Sequence, residues 1–163
     1  MSLKINQDYL RSLVFGFQDA LVSTTGIIVG ISAGVQNKQF IILSALVAIS
    51  VEALSMAAGQ YTSEKSVHLL PQSKHRDNLL TGSALMFFSY LIGGFIPIIP
   101  IFFTLPPLSS ILSVIFAFTG LFFLGFFKAK LFSGQVWRSA LEMLTIGGLA
   151  TLVGLFVGSL FQI

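Results

Sequence analysis

"FIILSALVAISVEALSMAAGQY", residues 40–61, is long enough to cross a bilayer as one helix, and it carries a single acid, Glu52. Working outward, apolar segments of similar length recur across the 163 residues, separated by short polar connections. Hydrophobic residues make up 55% of the chain, charged residues only 9%, and seventeen residues are phenylalanine. A soluble domain of this size cannot hide so much apolar surface, so much of it must face lipid. The period-two alternation of a membrane β-barrel is absent. The expected fold is therefore all-α and membrane-embedded, with residues 1–163 forming one domain.

Five spans are predicted: Leu10–Gly34, Phe40–Tyr61 with a helical extension to about His68, Leu79–Phe103, Leu108–Phe127 and Ser139–Phe161. "VQNKQ" and "TLPPLS" turn the chain at one end; "LPQSKHRDN" and "KLFSGQVW" turn it at the other. Lys4, Arg11, Lys65, Lys74, Arg76, Lys128, Lys130 and Arg138 then share one side, with Lys38 alone on the opposite side. The positive-inside rule puts the N-terminus in the cytoplasm and, after five spans, the C-terminus outside. Trp137 suits an interfacial anchor. No cleavable signal is expected, because the first apolar segment is long and lacks a small-residue cleavage site.

With no cysteine, thiolate metal sites, disulfides and cysteine nucleophiles are excluded together. A net charge of +3, scattered over short connections, leaves no footprint for nucleic acid. No Ser-His-Asp arrangement, phosphate-binding loop or zinc-protease motif is present, so an enzyme is not expected. Haem and iron–sulfur ligand sets are lacking, and no prosthetic group is implied.

Most acids fall near the ends of spans. Asp8, Glu64 and Asp77 are expected to be solvated, and Glu142 to pair with Arg138 one turn earlier. Asp19 and Glu52 differ. Counting rise per residue puts Asp19 about 10 Å, Glu52 about 13 Å and Met56 about 7 Å into the membrane from the same side. A carboxylate at that depth costs a few kcal/mol or more, about 3 on insertion scales, and no Lys or Arg lies deep enough to neutralise it. Protonation, a bound cation or cavity water are the remedies, and all three suit a cation carrier. The plain alternative is a pair of protonated acids joining helices.

Glu52, Met56 and Gln60 are spaced four apart and share one helical face. A thioether beside oxygen donors favours a borderline transition metal over Mg²⁺ or Ca²⁺; Fe²⁺ fits and Mn²⁺ stays open. Met56 alone would more often be core filler. Glu64 and His68 share a face farther along, where two donors make only a weak site and a solvated surface is the simpler reading; His75 reads as loop. Gly26, Gly30 and Gly34 repeat every fourth residue, as do Gly154 and Gly158; either stripe fits intrachain packing or a dimer seam. Gly93, Gly94, Pro97 and Pro100 predict a bent or locally broken third helix.

"FGFQDALVSTTGIIVGISAG" and "EALSMAAGQYTSEKS", followed by "GGFIPIIP", "FLGFFKAKLFSGQVWRSALEML" and "IGGLATLVG", resemble the vacuolar iron transporter family over nearly the whole chain. The resemblance implies a five-span homodimer that exports Fe²⁺, sometimes Mn²⁺, from the cytoplasm in exchange for protons. It implies a path near the dimer interface, lined by the first two spans, with Asp19 and Met56 matching family positions. Plant-type members carry a glutamate where this chain has Ala48, so Glu52 is assigned from its chemistry. Many prokaryotic members read "SMAAGEY" where this chain has Gln60. The eukaryotic metal-binding insertion between spans two and three is missing, which favours a prokaryotic inner membrane. The expected path is Asp19, Glu52 and Met56, with Gln60, Glu64 and His68 as its approach. The other reading is a membrane scaffold or partner-binding protein of the same fold without transport.

Overall fold

Short connections divide the chain into α1 (Gln7–Gly34), α2 (Lys38–His68), α3 (Leu79–Phe103), α4 (Leu108–Leu131) and α5 (Val136–Leu160). The structure, a computed structural model, describes residues 7–70, 78–131 and 135–161. Lys4, Lys74, His75, Arg76 and Asp77 lie outside the described residues. All five helices are long and apolar enough to cross a membrane, so the chain is an integral membrane protein.

The spans differ from expectation mainly at their ends. α1 begins at Gln7 rather than Leu10, α2 at Lys38 rather than Phe40, and α5 at Val136 rather than Ser139. α4 continues past Phe127 to Leu131. Hydropathy marks the lipid-facing length, whereas the hydrogen-bonded helix runs on into polar ends. Local caps fix several of those ends. The side chains of Asn37 and Asn78 accept from the backbone N–H groups of Phe40 (3.1 Å) and Leu80 (3.0 Å), opening α2 and α3. Lys38 Nζ donates to the Phe102 carbonyl at 2.8 Å, a cation on the negative end of α3.

α1 is the central post, packed against α3 along one side and α5 along another, with α2 resting chiefly on α3 and α4 on α5. One apolar cluster joins Ile28 of α1 to Ile41, Ala45 and Ile49 of α2 and to Ile98 and Ile101 of α3. A second joins Leu21 to Ala117, Leu121 and Met143 across α4 and α5. Between α1 and α5 the spacing is set by glycine. A Cβ on Gly30 would lie 2.8 Å from the Gly154 carbonyl oxygen, and one on Gly34 3.2 Å from that of Gly158. The two glycine stripes thus face each other within the chain, which settles that ambiguity for intrachain packing.

The third helix is neither broken nor interrupted: α3 runs unbroken through Pro97 and Pro100. Its glycines serve close approach instead. A Cβ on Gly93 would come 2.8 Å from the Phe17 carbonyl oxygen, and one on Gly94 2.8 Å from Ile49 Cγ2. Neighbours packed this tightly help a proline-containing helix stay continuous.

Candidate functional site

Three helices supply one polar cluster in the apolar bundle. Glu52 projects from α2, Ser23 from α1 and Tyr90 from α3. The Tyr90 hydroxyl donates to Glu52 Oε2 at 2.5 Å and lies 2.6 Å from Ser23 Oγ. Ser23 Oγ also reaches the same carboxylate oxygen at 3.3 Å. Tyr90 is buried, so its ring fixes the phenol while the hydroxyl orients Glu52. Asp19, one turn before Ser23 on α1, is close enough for its charge to act on both Glu52 and Tyr90. The structure thus places Asp19 within electrostatic reach of Glu52.

Met56 is half-buried one turn beyond Glu52, packed against Ala20, Ala53 and Tyr90. Oxygen donors of Glu52, Ser23 and Tyr90 thus meet, with Asp19 within electrostatic reach and Met56 on the next turn of α2. Among the described residues no three His, Cys, Asp or Glu side chains gather into one metal cluster. Such a mixed set suits a passing cation better than a dedicated all-carboxylate cage.

Glu52 and Ser23 also line an open groove of about 790 Å³ that runs over α1 between α2 and α5. Its other walls are apolar, including Ile27, Gly30, Val153 and Val157. The glutamate is thus a polar point in an apolar trough.

Farther along α2 toward the α1 N-terminus, the four-residue spacing continues to Gln60 and Glu64. Glu64 is not solvated: it is only 6% exposed and is ion-paired with Arg11 of α1. Gln60 Nε2 donates to the same Glu64 oxygen at 3.1 Å, and Arg11 lies 3.8 Å from Asp8. The partner of Glu64 sits 53 positions away in sequence, which is why local reading left it in water. His68 ends the helix one turn beyond. The expected pairing of Arg138 with Glu142 does not form among the described residues; both side chains lie on the exposed face of α5, where solvation competes with pairing.

Tyr90 and Ser23 were missed by sequence reasoning. Tyr90 lies in "FFSYLIGG", where an aromatic residue reads as span filler. Depth counting would have found it, because its hydroxyl enters the bundle about 16 Å along α3 at ~1.5 Å per residue. Tyr90→Phe is expected to keep the fold and lower ion uptake through the cluster by about ten- to hundredfold, since a single hydrogen bond to a charged group contributes about 1.5–3 kcal/mol. Comparison of uptake with thermal stability checks this: equal losses in both would assign the hydroxyl to folding alone.

A model of the VIT family matches residues 10–81 and 66–159. A comparison with curated proteins finds no match.

Proposed function

This chain belongs to the VIT family, and on that premise we propose that it exports Fe²⁺, with Mn²⁺ as a second substrate, from the cytoplasm in exchange for protons. Membership points to membrane metal-ion transport rather than to an enzyme. The observation that supports the reading is Asp19 within electrostatic reach of Glu52, itself one turn from Met56, with Ser23 and Tyr90 but no lysine or arginine among the partners of Glu52 in the described residues.

In this reading Asp19 and Glu52 bind the cation as carboxylates, and Met56 offers sulfur on the side nearer the cytoplasm. Tyr90 and Ser23 hold Glu52 in position while it is unloaded. Protons and the metal compete for the same oxygens, so loading by one releases the other. A pH difference across the membrane then drives metal one way as protons move the other. The end bearing Arg11, Lys65, Lys128, Lys130 and Arg138 faces the cytoplasm, which makes Gln60, Glu64 and His68 the approach. The short connection between α2 and α3 favours a prokaryotic inner membrane, where no inserted domain gathers metal first.

Purified chain in liposomes tests this. Fe²⁺ should move only when a pH gradient is imposed, and Mn²⁺ but not Mg²⁺ should compete. Equal competition by Mg²⁺ would sink the assignment of a soft ligand.

The protein works as a homodimer in this reading. Glu52 opens into a trough at membrane depth, and a carboxylate there needs a cover other than lipid. The adjoining face of α2 is strongly apolar, with Leu43, Val47, Val51 and Leu54 exposed. A second copy related by a two-fold axis would cover both at once. Light scattering of the purified chain in detergent should return twice the protomer mass; a monomer would refute the arrangement.

A further inference from the structure

About half a turn around α1 from Asp19 and Ser23, a second set of side chains has no part in the metal site. A groove of about 390 Å³ runs between α1, α3 and α4, walled by Val14, Phe17, Phe123, Leu124 and Phe127. At its basic end it adjoins a pocket of about 290 Å³ lined by Gln7, Arg11, Gln18 and Lys128. The two share Val14, and Phe127 of one is followed directly by Lys128 of the other.

The polar side chains of the pocket are all hydrogen-bond donors or cations, and among the described residues none that lines it is acidic. Among the described residues Lys128 has no ion-pair partner. Arg11 engages Glu64 and Asp8 through one terminal nitrogen, so its remaining N–H groups are free to bind elsewhere, and the side chain is 59% exposed. Gln7 and Gln18 add neutral amide donors. The composite is an apolar channel at acyl-chain level opening onto cations at the end of the helices.

We infer that this groove binds one anionic glycerophospholipid, its phosphate between Arg11 and Lys128 and an acyl chain along Val14, Phe17, Phe123 and Phe127. The occupant follows from the surroundings. The groove opens outward from an integral membrane protein, so lipid is what fills it, and the cationic mouth selects the charge of the headgroup. A zwitterionic lipid brings its own ammonium, and the pocket lining offers no acid to receive it. Arg11 would then carry three anions: the lipid phosphate, Glu64 of α2 and Asp8 of its own helix.

The inference depends on the membrane fold and not on the transported ion, so its test reads lipid alone. The purified chain is exchanged into an equimolar mixture of phosphatidylglycerol and phosphatidylcholine with identical acyl chains. Lipid retained through gentle detergent washing is counted by native mass spectrometry. The expected result is one phosphatidylglycerol retained in preference to phosphatidylcholine, with Lys128→Gln cutting the preference about fivefold, as one interfacial cation contributes. Lys128→Arg should restore it. Lys130→Gln, on the exposed turn outside the groove, should leave it unchanged.

Equal loss in Lys128→Gln and Lys130→Gln would reduce the effect to bulk surface charge and overturn the site. So would equal retention of the two lipids. Displacement by millimolar inorganic phosphate would make the pocket a phosphate site and remove the lipid. Thermal unfolding of each variant guards the comparison, and the conservative Lys128→Arg keeps the test decisive if Lys128→Gln folds poorly.

Discussion

Asp19→Asn is expected to reduce Fe²⁺ uptake by the reconstituted chain to the level of empty vesicles while the helix bundle stays folded. The exchange keeps the shape of the side chain and removes one of the two carboxylates that act on each other in the cluster. Glu52 retains its bonds to Tyr90 and Ser23, so the scaffold around it survives. Even indirect partners of a metal ligand contribute 10–100-fold to affinity, so losing a direct oxygen ligand should cost at least about 100-fold. Met56→Ala should be milder, about tenfold, and should weaken Fe²⁺ more than Mn²⁺, because the thioether favours the softer ion. Normal uptake by both variants, at normal stability, would place the path elsewhere.

Gly30→Leu should have the second large effect, and it acts on folding. A Cβ at that position would meet the Gly154 carbonyl oxygen at 2.8 Å, and Gly158 approaches Gly30 from the same helix. Backbone cannot step aside as a flexible side chain does, so α1 and α5 must separate along their seam. Overpacking usually costs about 1–3 kcal/mol, and a backbone-on-backbone clash belongs at or beyond the top of that range. The yield of monodisperse protein and its midpoint of thermal unfolding should both fall sharply. Gly59→Ala is the control: a Cβ there meets nothing within 4 Å, and exchanging a helical glycine for alanine should be neutral or slightly stabilising. If the two variants melted alike, the seam would not limit stability.

Much of the fold was legible because hydropathy and length act locally. α3 agrees with its predicted bounds, and the other helices differ by a few residues at their ends. The four-residue repeat of glycines was legible as a close-packing surface, but its partner was not, since nothing local in Gly30 specifies Gly154. The site divides in the same way. Asp19 and Glu52 announced themselves because a carboxylate at depth is costly wherever it sits. Tyr90 was invisible because its ring belongs in a membrane and only its hydroxyl has work to do. Glu64 was misjudged because its distance from the apolar run resembled exposure, while Arg11, from the far end of α1, encloses it.

The two ends of α2 are held by different physics. Near Lys38 it is fastened by the Lys38–Phe102 bond and by the isoleucine cluster shared with α1 and α3. Near His68 the ion pair of Glu64 with a half-exposed arginine ties it to α1. Apolar contact holds no charge for salt to screen, whereas the ion pair is open to partial screening on its exposed Arg11 side only. Raising ionic strength therefore acts on α2 unevenly, weakening the ion pair near one end while the isoleucine cluster at the other keeps its hold.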